Sequence, residues 1–377
     1  MSREIDTLKI NGRHLRVDES KLEEEKEDLE KFINDFKYCK TLKHAKEVLF
    51  SHEIRANNYI EGYRDDVDTI YDVIHKCSTI SDPRKRQRIL NMYKGYKYIL
   101  QRKEINKESL RDLYAILSKD LLSRHDVEHM GEYYRGDRVF IYYSNRTDIN
   151  PDEGMKFDEL DSYMDPLYEY INNNNENLSP VELFFKSQII HFYLVYVHPY
   201  FDINGRTSRT LGMWYLFNNK ANSFVIFNRA ILPHKPEYYK VIRETKIYRN
   251  VTYFLHYMME HTREELEKEY IMTMIKNSSN VDLSTVDFQT LHYILSLKTN
   301  VTYLDFTRLY NLQNERKRPS VIYNEMLVPL LDKGIIVEKD RTAKNVSFSN
   351  DNFNHYFEIN KSLYEADPNK IKHLKIR

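Results

Sequence analysis

The chain has 377 residues, with 57 basic and 57 acidic side chains and a formal net charge of zero. That balance excludes recruitment of nucleic acid or membrane by bulk charge, though not by a local basic patch. A 41% apolar content is enough for real cores, and only nine glycines and ten prolines favour long helices over a strand-and-turn protein.

At roughly 150 residues per domain the length implies two or three domains. Cys39 and Cys77 have no partner at metal-site spacing and read as reduced thiols. The N-terminal stretch MSREIDTLKINGRHLRVDES has no apolar signal-peptide core, and no apolar run approaches the ~20 residues of a membrane span. A cytoplasmic chain without a membrane partner is expected.

In chain order, Leu22–Phe36 carries apolar residues at helical spacing. Further helices are expected from Leu42 to Tyr59 and from Asp65 to His75. SDPRKRQRIL enters a helix with Pro83 near its first turn, and NKESLRDLYAILSKDLL is amphipathic. In GEYYRGDRVFIYYSNRTD, the aromatic and β-branched residues from Val139 to Tyr143, flanked by Gly131, Gly136 and Asn145, predict a β-hairpin or flap. NNNNEN is a polar loop. SPVELFFKSQIIHFYLVYV is apolar nearly all round, which marks a central buried helix. Ser179 is its N-cap and Pro180 its first residue, and Pro199 ends it near His198. RTSRTLGMWYLFNN, PEYYKVIRETK and VTYFLHYMMEHTREELEKEYIMTMI continue as helices.

Composition shifts near Asn277–Asn280. Beyond it, three helices (STVDFQTLHYILSL, YLDFTRLYNL, SVIYNEMLVPLLDK) precede two strands, GIIVEK and NVSFSN, which is the order of a winged-helix module. Arg316, Lys317 and Arg318 precede a helix expected to be capped by Ser320, which can read a DNA major groove. Glu315 and Glu325 dilute that patch, and protein docking is the alternative use. The expected division is a helical region over 1–110, a core domain over 111–275 and a winged-helix-like domain over 281–377.

The densest chemistry lies in HPYFDINGRTSR, residues His198 to Arg209. A buried helix delivers His198 to its C-terminal end. Asn204 and Gly205 tolerate left-handed backbone angles, so successive N–H groups can converge into an anion-binding nest. The helix that follows adds unpaired N–H donors and the positive end of its dipole. Arg206 and Arg209, three apart, can share a face and grip a polyphosphate. Asp202 can hold Mg²⁺ together with phosphate oxygens, and His198 is a suitable general base. The implied reaction transfers a phosphate-containing group from a Mg-nucleotide. Each feature alone is most often structural, and their ordered co-occurrence behind a buried helix carries the reading.

This stretch resembles the signature loop of the Fic family, His-Pro-Phe-x-Asp/Glu-Gly-Asn-Gly-Arg-x-x-Arg. Tyr200 replaces Phe, and Ile203 stands where the family usually has Gly. IIHFYLVYVHP, with His191, resembles the helix before the loop, and GEYYRGDRVFI resembles the flap segment with one extra Tyr. PDEGMKFDELDSYMDPLYEYI resembles the helix after the flap. The resemblance runs from about Ser51 to His261.

It implies a mainly α protein: a Fic-type helical core with a small β-hairpin flap, followed by the winged-helix-like domain. It also implies AMP transfer from ATP to a Ser, Thr or Tyr hydroxyl of a target protein, the chain itself included. By matched position, His198 is the base, Asp202 the Mg²⁺ ligand, and Asn204, Gly205 and Arg206 the anion hole. Arg209 holds the γ-phosphate. Arg138, Val139, Phe140, Ile141, Tyr142 and Tyr143 form the flap that pairs with the target as an added strand. Relatives of the family transfer UMP, phosphate or phosphocholine instead. A β-branched residue is disfavoured at positive φ, so either Ile203 sits at negative φ or the nest is altered, which bears on nucleotide preference.

Upstream, RANNYIEGYR contains Glu61 and Gly62. Alone they are a helical glutamate and a helix C-cap. They resemble the family's inhibitory motif, Ser/Thr-x-x-x-Glu-Gly, with Asn57 at the Ser/Thr position. A Glu61 carboxylate reaching Arg209 takes the place of the γ-phosphate and leaves ATP misaligned for in-line attack. Two other readings stay open: a DNA-binding regulator using this fold as a nucleotide sensor, and a docking protein with an inactive core. A homodimer is also open.

Overall fold

The computed structural model describes residues 3–35, 46–75, 80–101, 104–141, 151–173, 175–279, 283–297, 301–340, 355–360 and 363. Cys39, Cys77, flap residues Tyr142 and Tyr143, and the strand expected at NVSFSN lie outside them. The chain is mainly helical with small antiparallel sheets, and it divides into two compact units. The first comprises Met1–Glu61 and Asp72–Arg263, the second Gly62–Tyr71 and Glu264–Arg377.

The first unit opens with a hairpin that was not expected. β1 (Arg3–Ile10) and β2 (Arg13–Val17) pair antiparallel, with Ile10 opposite Arg13. Asn11 and Gly12 make the turn at φ 49° and 72°, the two positive angles that an Asn-Gly hairpin turn needs. Ile5, Leu8, Ile10, Leu15 and Val17 are its buried side.

The helices and one further hairpin follow: α1 (Glu23–Asp35), α2 (Lys46–Ile60), α3 (Val67–His75), α4 (Pro83–Gln101), α5 (Lys107–Ser118), α6 (Arg124–Glu128), β3 (Phe140–Ile141), β4 (Asp152–Glu153), α7 (Leu160–Asn172), α8 (Pro180–Val197), α9 (Asn204–Asn218), α10 (Phe227–Ile231), α11 (Lys235–Tyr248) and α12 (Thr252–Ser279). Helix α8 is the axis. Ser179 and Glu182 form its capping box with Pro180 at the first position, and nearly every later residue is buried. It ends as expected, with His198 as a left-handed C-cap ahead of Pro199.

Helix α2 is unusual for what it buries. Phe50, Ile54, Ala56 and Ile60 are core, yet Ser51, Glu53, Arg55, Asn57 and Asn58 are buried too. Buried polar groups need partners. Glu53 has Arg229 of α10 at 3.1 Å, and Asn57 faces α9. This fixes α2 inside the unit by paired polar contacts as well as by apolar burial.

In the second unit, α13 (Thr285–Ser296), β5 (Val301–Thr302), α14 (Tyr303–Gln313), α15 (Pro319–Ile322), α16 (Val328–Asp332), β6 (Ile336–Asp340) and β7 (His355–Ile359) follow one another. The sheet order is β5-β7-β6, antiparallel throughout. Leu291, Phe306, Ile322, Leu327, Leu330 and Phe357 are among its core. Buried Glu265 accepts from Lys268 Nζ and pairs with His292 Nε2, both at 2.6 Å, and Tyr310 donates to Asp66 at 3.0 Å.

Helix α15 begins at Pro319 with Arg318 as N-cap, so Ser320 lies within the first turn and is not the cap. The fixed φ of proline suits a first helical position. A π-helical stretch, residues 323–327, joins α15 to α16 just ahead of Pro329, whose missing N–H cannot serve an ordinary helical bond. Among the described residues no helix is long and apolar enough to cross a membrane.

Candidate active site

The signature stretch bends at two places, and neither is the Asn-Gly pair. His198 has φ 53° and Ile203 φ 67°, while Asn204 and Gly205 are the first two residues of α9. The left-handed angles expected at Asn204 and Gly205 are therefore corrected: the pair is helical. The Asn204 side chain explains the difference: its amide donates to Tyr200 O at 2.8 Å and its oxygen accepts from Tyr200 N at 3.0 Å. That clip closes the loop behind it, and the left-handed step falls on Ile203, 2% exposed.

The first intrahelical bond of α9 runs from Thr207 N to Ile203 O, and the helix has no side-chain cap. The N–H groups of Asn204, Gly205 and Arg206 thus begin the helix without i−4 acceptors, as a helix N-terminus must. Asp202, exposed on the loop, accepts from Ile203 N through Oδ1.

Gly205 serves space, not backbone freedom. A Cβ there would collide with the Glu61 carboxylate and meet Arg209 Nη1 at 3.1 Å. Glu61, the residue after α2, reaches Arg209 Nη2 through Oε1 at 2.5 Å. Asn57, one turn earlier, accepts from Arg209 Nε at 2.9 Å and Nη2 at 2.7 Å. The Asn at the motif's Ser/Thr position is thus a direct partner of the arginine. Burial works to raise the Glu61 pKa, but the charges of Arg209, Arg206 and Lys235 outweigh it and hold the carboxyl below its ordinary value. Helix α11 clamps the end of α2: Tyr239 donates to Ile60 O at 2.8 Å and Lys235 to Tyr59 O at 3.3 Å. Gly62, at φ 93°, makes the turn beyond it.

His198 Nδ1 lies 3.2 Å from Val195 O. A carbonyl only accepts, so Nδ1 carries the hydrogen of the neutral ring and Nε2 keeps its lone pair. Burial pushes the His198 pKa down to about 4; Arg135 and Lys246 add to this, against the Val195 bond and Glu61. The ring is therefore neutral near pH 7. His191, fully buried on α8, bonds Tyr238 OH at 2.7 Å and Gln188 at 3.2 Å, and burial keeps it neutral as well.

A cavity of about 160 Å³ brings Glu61, His198, Gly205 and Arg209 together with flap residue Ile141 and with Tyr238, Tyr239 and Lys246 of α11. Asp202, Asn204 and Arg206 do not line it, nor do Arg138, Val139 and Phe140. The flap alternates as a strand should: Val139 is buried, Phe140 is exposed, and Ile141 faces the cavity. It pairs with β4 through Phe140 opposite Glu153.

Sequence reasoning assigned no role to Arg135. It is 2% exposed, donates from Nε to His198 O at 3.0 Å and from Nη1 to Asp137 O at 2.7 Å, and also bonds Met155 O. Burial lowers its pKa to about 10, so it stays charged near neutrality. Its backbone N–H bonds Pro199 O, so one residue ties the flap base to the turn that carries His198. The GEYYR segment contained it, but nothing in composition separates it from other arginines. Tyr238, Tyr239, Lys235 and Lys246 likewise carried no signal beyond a helical segment.

The Fic/DOC family profile matches residues 104–216, which include the flap, α8 and the whole His198–Arg209 stretch. The chain carries a Fic/DOC-family domain. Asn57 and Glu61 lie outside the matched span. Among solved structures the fold is similar to a Fic family protein from Desulfovibrio desulfuricans, at 17% identity and a TM-score of 0.55, covering 88% of this chain and 93% of that one. It is also similar to Fic-1 from C. elegans, residues 134–508, at 18% identity and a TM-score of 0.50, covering 67% and 72%. At these identities the likeness carries the fold alone.

Proposed function

We propose that this chain is an autoinhibited protein adenylyltransferase that transfers AMP from Mg-ATP to protein hydroxyls, its own included. The carrying observation is that Glu61 is paired to Arg209 inside the cavity that also holds His198, over the N-terminus of α9. On this reading His198 Nε2 takes the proton of the target hydroxyl. The hydroxyl oxygen bonds the α-phosphorus, the bond from that phosphorus to the bridging oxygen breaks, and pyrophosphate leaves.

The N–H groups that open α9 and the Arg206 guanidinium neutralise the phosphates, and Arg209 takes the γ-phosphate. The exposed flap edge at Phe140 receives the target backbone. Asp202 fits Mg²⁺: it is one exposed carboxylate with one oxygen held by its own loop, and Mg²⁺ favours one or two carboxylates plus phosphate oxygens and water. The ion would supply charge neutralisation at the phosphates.

With Glu61 in place the cavity is smaller than the ~300 Å³ at which ligand pockets begin, which supports a resting state that excludes a productive triphosphate. The test is intact-mass analysis of Glu61→Gly after incubation with Mg-ATP. A gain of one AMP is expected and should vanish in Glu61→Gly/His198→Ala. A gain of phosphate alone, or labelling equal to wild type, overturns the reading. The order of helices and hairpin strands in the second unit supports a winged-helix reading. Lys317, paired with Glu325 at 2.9 Å, gives less support to DNA contact there.

A further inference from the structure

We propose that His125, His129 and Asp137 form a binding site for a first-row divalent transition ion of the Zn²⁺ class at the base of the flap. His125 lies in α6 and His129 is its C-cap, four positions on, with its backbone N–H bonded to His125 O, so the two side chains leave the same side of the turn. Their rings are stacked, with centroids 4.2 Å apart and planes 20° apart. One ligand atom from each ring and one Asp137 carboxylate oxygen all lie within 4.8 Å of one another. In a tetrahedral zinc site, with N and O ligands about 2.0–2.2 Å from the ion, the ligand atoms stand ~3.3–3.6 Å apart. Side-chain rotation that draws the three atoms together by about 1 Å completes the set, and both histidines are exposed and able to make it.

The hydrogen bonding around the rings points the same way. His129 Nδ1 lies 2.9 Å from His125 O, so it carries the hydrogen and leaves the Nε2 lone pair for an ion. The Asp126 carboxylate, fixed by its capping box with Ser123, lies 3.6 Å from His125 Nδ1, near it but beyond hydrogen-bond distance. A backbone carbonyl or carboxylate behind the non-ligating nitrogen is the usual support of a metal-binding histidine. Asp137 uses Oδ1 to accept from Arg138 N, leaving its other oxygen. Gly136 N bonds His129 O, which holds the Asp137 loop against α6. Imidazole and carboxylate ligands suit Zn²⁺ and its neighbours in the first row better than Mg²⁺, so this site is chemically distinct from Asp202.

The position gives the ion a use. Asp137 immediately precedes flap residues Arg138–Ile141, and the His125 ring meets Phe201, next to Asp202, edge-on at 5.9 Å. An ion there braces the flap base against the signature loop.

The test is Zn²⁺ titration of the chelator-dialysed full chain by calorimetry, with metal analysis after desalting. One Zn²⁺ per chain is expected. Its affinity should fall at least tenfold in His125→Ala, in His129→Ala and in Asp137→Asn, and stay unchanged in His261→Ala. The last variant removes a ligand from the second such cluster, His234, Glu237 and His261. Binding that survives His125→Ala/His129→Ala but disappears in His261→Ala overturns the proposal, as does no binding at all. His125 and His129 are exposed and belong to no core, and the melting curve of the His261→Ala variant, whose residue is buried, checks that it is folded before its titration is compared.

Discussion

Glu61→Gln removes one charge and almost no volume. Arg209 is 1% exposed and the Glu61 side chain 26%. Removing one partner of a buried ion pair costs about 3–5 kcal/mol. Two features reduce this here. Glu61 has access to water, and Asn57 still accepts from Nε and Nη2 of Arg209, hydrogen bonds to a charged group being worth about 1.5–3 kcal/mol each. Glutamine also keeps an oxygen for Nη2. The expected loss is therefore ~1–2 kcal/mol, or about 2–8 °C in Tm for a unit of this size. Mg-ATP should reverse the effect, because its γ-phosphate supplies the missing anion. Ligand at a hundred times its Kd stabilises by about 2.7 kcal/mol, so the variant should gain ~5–11 °C on saturation. Wild type, whose Arg209 is already neutralised, should gain less. Thermal melts of both proteins with and without Mg-ATP measure this. An equally stable variant with the same nucleotide shift as wild type refutes the pairing of Glu61 with the γ-phosphate position.

Three further outcomes are expected. Arg135→Lys cannot reach the carbonyls of His198, Asp137 and Met155 together, and leaving two buried acceptors unpaired costs ~2–5 kcal/mol, read as a lower urea midpoint. Ile203→Gly relieves a left-handed residue costing about 1–2 kcal/mol but empties a side-chain site whose loss costs at least ~2–5 kcal/mol; net destabilisation is expected, and a raised midpoint would show that strain dominates. The His198 pKa lies below its unfolded value, so its stabilising contribution is full above about pH 6.5 and is lost as pH falls through about 4. In Glu61→Gly, Mg-ATP brings negative charge beside the ring and should raise that pKa, which an NMR titration of the imidazole follows.

The helical plan was legible because it rests on local signals: Ser179 and Pro180 start α8, and Pro199 stops it. The N-terminal hairpin carries a local signal too, Asn11-Gly12 between alternating apolar residues. Strand β5 has two residues, too few to show a period. The Glu61–Arg209 contact spans 148 positions, and no periodicity reports a pair at that separation. Only the motif pointed to it, and the motif could not say that Asn57 would share the arginine.

The loop shows how residue identity and backbone conformation come apart. Asn-Gly is ordinarily read as a turn because both residues tolerate positive φ. Here Asn204 is engaged with Tyr200 and Gly205 is needed for the absence of a Cβ beside Glu61, so neither supplies the bend. The bend passes to Ile203, which is poorly suited to it by its own sterics. Burial of its side chain offsets that cost, and the left-handed step leads directly into the first turn of α9. The polar and charged groups of the loop are legible in sequence because they are contiguous. The division of labour among them was decided by packing, and Ile203 is where packing overrode local preference.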